Sequence, residues 1–226
     1  MKTLDWKPVP IPTPVTLRGR YVTLEPLDAA RHSAALWSAV QGHDELWTYL
    51  PDGPYPDWGA FHDAISAKQG APGYLFFAIL PIGENSGTEA TPAGYAALMR
   101  IDATNGVIEV GNILYSPALQ RTRAATEAMF LLANHIFDHL GYRRYEWKCN
   151  ALNEPSRRAA LRYGFTFEGI FRQHSVVKRQ NRDTAWFSML DSEWPVRKLA
   201  FQAWLDPANF DTAGKQRRSL GQASLP

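Results

Sequence analysis

The chain of 226 residues is 45% apolar and 20% charged, with a formal net charge of +2, which excludes a disordered or strongly polyionic protein. The length suits one domain with extensions, and the single cysteine, Cys149, excludes an internal disulfide. No apolar signal core follows Met1 and no apolar run reaches the roughly 18–20 residues of a membrane span, so the expectation is a cytoplasmic protein with no membrane partner.

Residues 1–14 contain the proline alternation KPVPIPTP and read as an extended arm. Val15–Glu25 reads as one or two strands around Gly19. Asp28 is a good N-cap for a helix to about Val40, with Ser33, Leu36, Trp37 and Val40 on one face and Gly42 as its stop. Leu46–Trp58 is aromatic and proline-rich, hence a loop, and a short helix from about Gly59 to Gln69 follows. Tyr74–Leu80 is a short continuous apolar run, expected to be a buried strand. Pro81–Pro92 reads as a flexible hairpin loop, with Ala93–Asp102 the return strand. An Asn-Gly turn signal then leads into the strand Val107–Tyr115.

Pro117 ends that strand. From Ala124 to Leu140, Met129, Leu132, Ala133, Ile136, Phe137 and Leu140 fall at helical spacing, and Gly141 is the stop. Tyr142–Ala151 is a strand of alternating character. A short helix starts near Asn153–Pro155 and ends at Gly164. Two strands, Phe165–Lys178 and Arg182–Leu190, flank a turn. A last helix runs from about Glu193 to Leu205 with Val196, Leu199, Ala200, Ala203 and Trp204 on one face, and residues 211–226 read as a flexible tail. Antiparallel strands followed by strand, helix, strand, helix predict an α/β protein with a mixed sheet and one right-handed crossover. The expected organisation is an arm over 1–14, one domain over 15–210 and the tail.

Charge is uneven: residues 141–182 hold ten Lys/Arg against three Glu, which points to an anionic partner such as cofactor phosphates or nucleic acid. Nucleic acid is the weaker of the two, because no RNA-binding signature is present. Of the six histidines, His135 and His139 stand at i, i+4 with no glutamate between them, so no metal is expected.

The stretch Leu119–Ala128, LQRTRAATEA, opens the long helix. A helix N-terminus offers free N–H groups and positive dipole to a pyrophosphate. Ala124, Ala125 and Thr126 leave the approach open, and Arg121 and Arg123 add charge. The bland reading is a capped surface helix with two solvated arginines. The absence of Gly-Lys-Ser/Thr excludes a Walker-type NTPase.

With that stretch, Asn153-Glu-Pro-Ser156 and Gly164-Phe165, the block Val107–Arg172 resembles the GNAT superfamily of acetyl-CoA-dependent N-acetyltransferases. More narrowly it resembles the branch containing the RimJ/RimL-like ribosomal-protein N-terminal acetyltransferases. The resemblance implies a GNAT-like, mostly antiparallel sheet of about six to seven strands flanked by helices, with an extra C-terminal helix. It implies acetyl-CoA as cosubstrate, a primary amine as acceptor, and a monomer or homodimer. Cosubstrate contacts are implied at Ile113, Leu114, Gln120, Arg121, Thr122, Arg123, Ala124, Ala125, Thr126, Asn153 and Ser156, the backbone of Ile113 and Leu114 pairing with the pantetheine arm.

Glu109 stands where the family often has its base, with an ion pair to Arg100 as the bland alternative. Arg123 replaces the family's first loop glycine. Ala160 stands where many members have the tyrosine acid, which leaves Ser156 as the hydroxyl on that helix. Trp47, Tyr49, Tyr95 and Trp147 are the aromatic candidates for the acceptor site; packing onto the sheet is their alternative role. A catalytically silent acyl-CoA-binding module and a ribosome- or RNA-associated protein are the rival functions.

Overall fold

The computed structural model describes residues 3–83 and 90–221. Eight strands form one sheet in the order β1-β2-β3-β4-β5-β6-β8-β7: β1 (Leu17–Arg18), β2 (Val22–Pro26), β3 (Tyr74–Pro81), β4 (Gly94–Asp102), β5 (Val107–Tyr115), β6 (Arg144–Asn150), β7 (Thr166–Val177) and β8 (Gln180–Leu190). The count is higher than the six to seven expected because the first segment divides at Gly19 into two paired strands. Among the described residues only β5 and β6 pair in parallel, joined by the crossover helix α3 (Arg123–Asn134).

The alternation of the strands fills both faces. Ile108 and Val110 of β5, Tyr145, Trp147 and Cys149 of β6, and Ala185, Phe187 and Met189 of β8 pack with α3, α4 (Glu154–Arg162) and α5 (Trp194–Leu205). The opposite face of β3 and β4 is covered by α1 (Ala29–Val40) and α2 (Trp58–Gln69). Those two helices start where the sequence provides acceptors: Asp28 receives Arg31 N–H, and Asp57 receives Ala60 N–H. They cover β2–β4, so on that face β5, β6 and β8 are left to carry polar side chains.

The long helix differs from expectation. It is α-helical to Asn134 and continues as a wider π turn over His135–His139 before Gly141 turns the chain at φ +73°. The wider turn buries the adjacent Ile136 and Phe137 together, and Asp138 receives Trp194 Nε1–H at 2.8 Å and Lys198 Nζ at 2.6 Å from α5. The buried face of α5 is Trp194, Ala200, Phe201, Trp204 and Leu205, whereas Val196 and Leu199 are exposed, because the aromatic side chains win the contact with α3. Of the expected tail, residues 211–221 are described and make contacts with the body, and residues 222–226 lie outside the described residues. Trp204 Nε1 donates to Gln216 Oε1 at 2.7 Å, Asn209 bonds the backbone of Arg218, and Leu220 is buried. Of the expected hairpin loop, residues 84–89 lie outside the described residues. Among the described residues no helix is long and apolar enough to cross a membrane.

Candidate active site

The parallel pairing of β5 with β6 runs only from Val107–Arg144 to Val110–Trp147. Beyond that rung β5 stays with β4 and β6 with β8, so the two strands part. A bulge in β5 helps to open them: Asn112 lies at φ +48° and the β4 register shifts between Tyr95 and Ala97. Gly94 permits the tight β4 contact that results, since a Cβ there would stand 2.3 Å from the Leu114 carbonyl oxygen. Ile113 and Leu114 therefore sit past the last β5–β6 rung, one face against each core.

Glu109 lies one residue before the strands part and is 3% exposed. Its neighbour in register on β6 is Glu146, and Lys148 bridges the two: Nζ is 2.9 Å from Glu109 Oε2 and 2.7 Å from Glu146 Oε2. Arg100 Nε adds a contact to Glu109 at 3.2 Å, so the expected ion pair is present. Both cations lie at ion-pair distance from Oε2, Lys148 being the closer. Burial pushes the Glu109 carboxyl above the usual carboxylate range, against the pull of Lys148 and Arg100. The network continues across the sheet, where Arg144 joins Glu146 at 2.7 Å and Glu168 at 2.8 Å.

The other side of the gap is built by α4. Asn153 caps it, its side-chain oxygen accepting Ser156 N–H at 3.1 Å. Ser156 Oγ in turn accepts the indole N–H of Trp147 at 3.0 Å. The same hydroxyl also meets the Cys149 thiol. Cys149, beside it on β6, is buried, and burial raises its thiol.

At the start of α3, Thr122 is the cap: its Oγ1 accepts Ala125 N–H at 3.1 Å, and its carbonyl accepts Thr126 N–H at 3.3 Å. Among the described residues no acceptor meets the Ala124 N–H. Gln120 and Arg121 are exposed, and Arg121 holds φ +61°, the left-handed conformation a glycine would supply. Arg123 turns elsewhere. Its guanidinium lies 5.0 Å from the Tyr21 ring and 4.9 Å from the Phe210 ring, so it packs the hairpin and the C-terminal segment together. Arg162 Nη1 donates to Thr126 Oγ1 at 3.1 Å, which ties α4 to the start of α3. An open amide, small side chains at Ala124 and Ala125 and an unpaired β5 edge fit a cosubstrate with a pyrophosphate and an extended amide-bearing arm.

On the polar face, a cleft of about 270 Å³ opens beside the end of β6. Trp47, Tyr49 and Pro54 wall one side, and Lys178, Asn181 and Arg182 of the β7–β8 hairpin wall the other. The aromatic candidates divide. Tyr49 lines the cleft, its hydroxyl donating to the Leu152 carbonyl at 3.1 Å. Trp47 contributes one edge but is otherwise core, T-stacked on Tyr55 and Phe61. Tyr95 and Trp147 do not reach the cleft: Tyr95 is buried against Phe76 beneath the first two helices, and Trp147 packs on the opposite face against Tyr163 and Phe165. Strand parity sends Trp147 away from Glu109. Lys148, Arg182 and Trp186 escaped the sequence reading, since a cation in a strand gives no periodic signal of its partner; the outward parity of Lys148 with Glu146 was the available hint.

Residues 22–166 match the family model described as the Acetyltransferase (GNAT) domain. A comparison with curated proteins found no match. Among solved structures, a GCN5-related N-acetyltransferase from Brucella melitensis is 49% identical over 97% of this chain and 98% of that one, with a TM-score of 0.93. A GNAT-family protein from Chromobacterium violaceum is 40% identical over 86% of this chain and 96% of that one, with a TM-score of 0.78. An acetyl transferase from Salmonella typhimurium that modifies the N-terminal serine of a 50S ribosomal subunit protein is 18% identical over 76% and 96% of the two chains, with a TM-score of 0.63, a likeness of fold alone. The match across most of the sheet and the near-complete overlap with a relative of about half-identical sequence make this chain a member of the GNAT family of acetyltransferases, which take their acetyl group from acetyl-CoA.

Proposed function

We propose that the protein is an acetyl-CoA-dependent N-acetyltransferase that acts on a primary amine by direct attack. The observation that carries this reading is Glu109: a buried carboxylate, raised above the usual carboxylate range by desolvation, placed one residue before β5 and β6 part. Only a free amine attacks, so a base must first take a proton from the ammonium. Glu109 fills that role through a water, and its raised affinity for protons makes it a stronger base than a solvated carboxylate. Bound acetyl-CoA supplies the acetyl group as a thioester.

The start of α3, with Gln120, Arg121 and Ala124 at its open end, meets the pyrophosphate. The Ile113–Leu114 backbone pairs with the extended arm, and an amide there serves the developing oxyanion. Ser156, held by Trp147, donates its proton toward the departing sulfur. Asn153 keeps that serine in place by capping its helix.

The test is calorimetric titration of acetyl-CoA together with transfer to a set of amines, on the wild type and on Glu109→Gln. The expected result is saturable binding by both proteins, with turnover reduced at least 100-fold in the variant, within the range of general-base effects of about 10²–10⁴. Full turnover by Glu109→Gln overturns the base. Tight binding with no transfer to any amine by the wild type favours the silent acyl-CoA-binding module instead.

A further inference from the structure

The polar face of β5, β6 and β8 carries an uneven set of charges. Glu109, Glu146 and Glu168 are matched by Arg100, Lys148 and Arg144, each carboxylate meeting one or two of these cations within ion-pair distance. Arg182 on β8 is a fourth cation of the same strand parity, and it has no carboxylate within that distance among the described residues. Its guanidinium makes no hydrogen bond there either, and its Nε is fully buried with no acceptor. Arg157 and Arg197 also leave an Nε without an acceptor; Arg182 differs from both in opening on a cleft with no carboxylate beside it.

Arg182 opens on the cleft beside the end of β6. Of the other charged side chains lining that cleft, Asp44 and Lys178 offset one another, and Lys178 Nζ is already held by the Trp47 carbonyl at 2.7 Å. One positive charge is left over. Burial is the main influence on Arg182, and the charge of Glu109 is among the next, so the two groups feel one another without forming a pair.

We propose that Arg182 binds a carboxylate on the acceptor, so that the preferred substrate is a small amine bearing a carboxylate a few bonds from its nitrogen. This rests on the N-acetyltransferase reading above. A guanidinium matches a carboxylate with two parallel N–H donors, which fixes the acceptor's direction as well as its charge. With the acid end on Arg182 and the amine end toward Glu109, the two groups must be close in the molecule. The cleft volume of about 270 Å³ also suits a small acceptor, being under the roughly 300–1,000 Å³ of ordinary ligand pockets. Tyr49 and the edge of Trp47 supply a flat wall for the carbon skeleton.

The experiment measures acetyl transfer from acetyl-CoA to α-amino acids, β-alanine and γ-aminobutyrate, each beside its own carboxamide, and to a peptide with a free N-terminus. Wild type, Arg182→Gln and Arg182→Lys are compared, and the readout is the ratio of kcat/KM for acid over amide. A charge-assisted hydrogen bond implies a wild-type ratio of about 10 to 100 for the best pair. Arg182→Gln brings the ratio to near one, through KM for the acid, and Arg182→Lys restores part of it. Because the ratio is taken within one protein, a partly unfolded variant does not imitate the result. Equal rates on acid and amide by the wild type, or a ratio that Arg182→Gln leaves intact, overturn the proposal while leaving the acetyltransferase reading in place. Transfer to the peptide alone overturns it in favour of a protein terminus. Absence of transfer to every amine removes the acetyltransferase reading and this inference with it.

Discussion

Lys148 Nζ stands 2.9 Å from Glu109 Oε2 and 3.9 Å from the centre of the Trp186 ring, and it is nearly inaccessible to solvent. It is also shared with Glu146, the register neighbour of Glu109. Two carboxylates on adjacent strands thus share one lysine. Removing that lysine leaves like charges side by side in a poorly solvated place. Lys148→Met is expected to raise the Glu109 carboxyl further. The base is active only when ionised, so activity is lost as pH falls through the raised value. The acid limb of the kcat/KM profile should therefore move to higher pH in the variant, with the high-pH plateau much less affected. Stability should fall by about 3 kcal/mol, the usual cost of breaking a buried pair, measured by denaturant unfolding. An unmoved acid limb separates Glu109 from Lys148.

Ser156 and Trp147 make a second pair open to test. If the serine donates to the leaving sulfur, Ser156→Ala should lower kcat by about 10- to 100-fold with acetyl-CoA affinity unchanged, consistent with loss of one donor at the reacting centre. Trp147→Phe, which removes the N–H that Ser156 Oγ accepts, should lower kcat less and cost stability through the lost ring volume. An unchanged kcat in Ser156→Ala would leave the serine as a partly buried acceptor for the indole.

Arg123 sits between Tyr21 and Phe210 rather than over the loop. Arg123→Ala is expected to lower stability by about 1–2 kcal/mol through the two lost cation–π contacts, with little change in acetyl-CoA affinity. Thermal unfolding and calorimetry on the same protein check both halves. A tenfold loss of affinity with unchanged Tm would return Arg123 to the cosubstrate.

Gly94→Ala places a methyl carbon against the Leu114 carbonyl. Backbone cannot step aside as a flexible side chain can, so the expected cost is about 2–4 kcal/mol, with weakened acetyl-CoA binding because the β5 edge must shift. Normal binding and stability would show that the β4–β5 contact relaxes freely.

Asp52 tests the loop that walls the cleft. Burial acts to raise its carboxyl, but hydrogen bonds from Lys68 and Tyr55 outweigh it and hold the group below the usual carboxylate range. A depressed folded value stabilises the protein above the unfolded carboxyl value of about 4 and is lost as pH falls through the folded one. Asp52→Asn should cost about 2 kcal/mol at neutral pH and flatten stability against pH in the acid range below about 4. An acid unfolding curve identical to wild type would rule the clamp out.

Much of the fold was legible because its signals are local. The cap residues Asp28 and Asn153, the stop at Gly141 and the apolar alternation of β5 each act within a few residues of themselves. Glu109 was legible as the one charged residue on a mostly apolar strand. What sequence could not report was parity between distant strands: Trp147 and Lys148 are neighbours in the chain and lie on opposite faces, one in the core and one beside Glu109. Nor could it report that Arg123, in a loop thought to touch phosphate, meets Phe210, far along the chain. Val196 and Leu199 misled for the same reason, since helical spacing says which residues share a face and not which face a neighbour covers.

Glu127 lies in the first turns of α3, just past the loop proposed to face the pyrophosphate, and its carboxylate accepts the backbone N–H of Arg20 at 2.9 Å and of Tyr21. A Cβ on Gly19 would meet that carboxylate at 2.4 Å, so a larger residue there must push the Glu127 side chain away from its two amides. Glu127 thereby ties the N-terminal hairpin to the start of α3, and the two are expected to open as one unit. Amide exchange at Arg20 and Tyr21, remote in sequence from the loop, becomes a reporter for it: both amides should slow together when acetyl-CoA steadies the helix start.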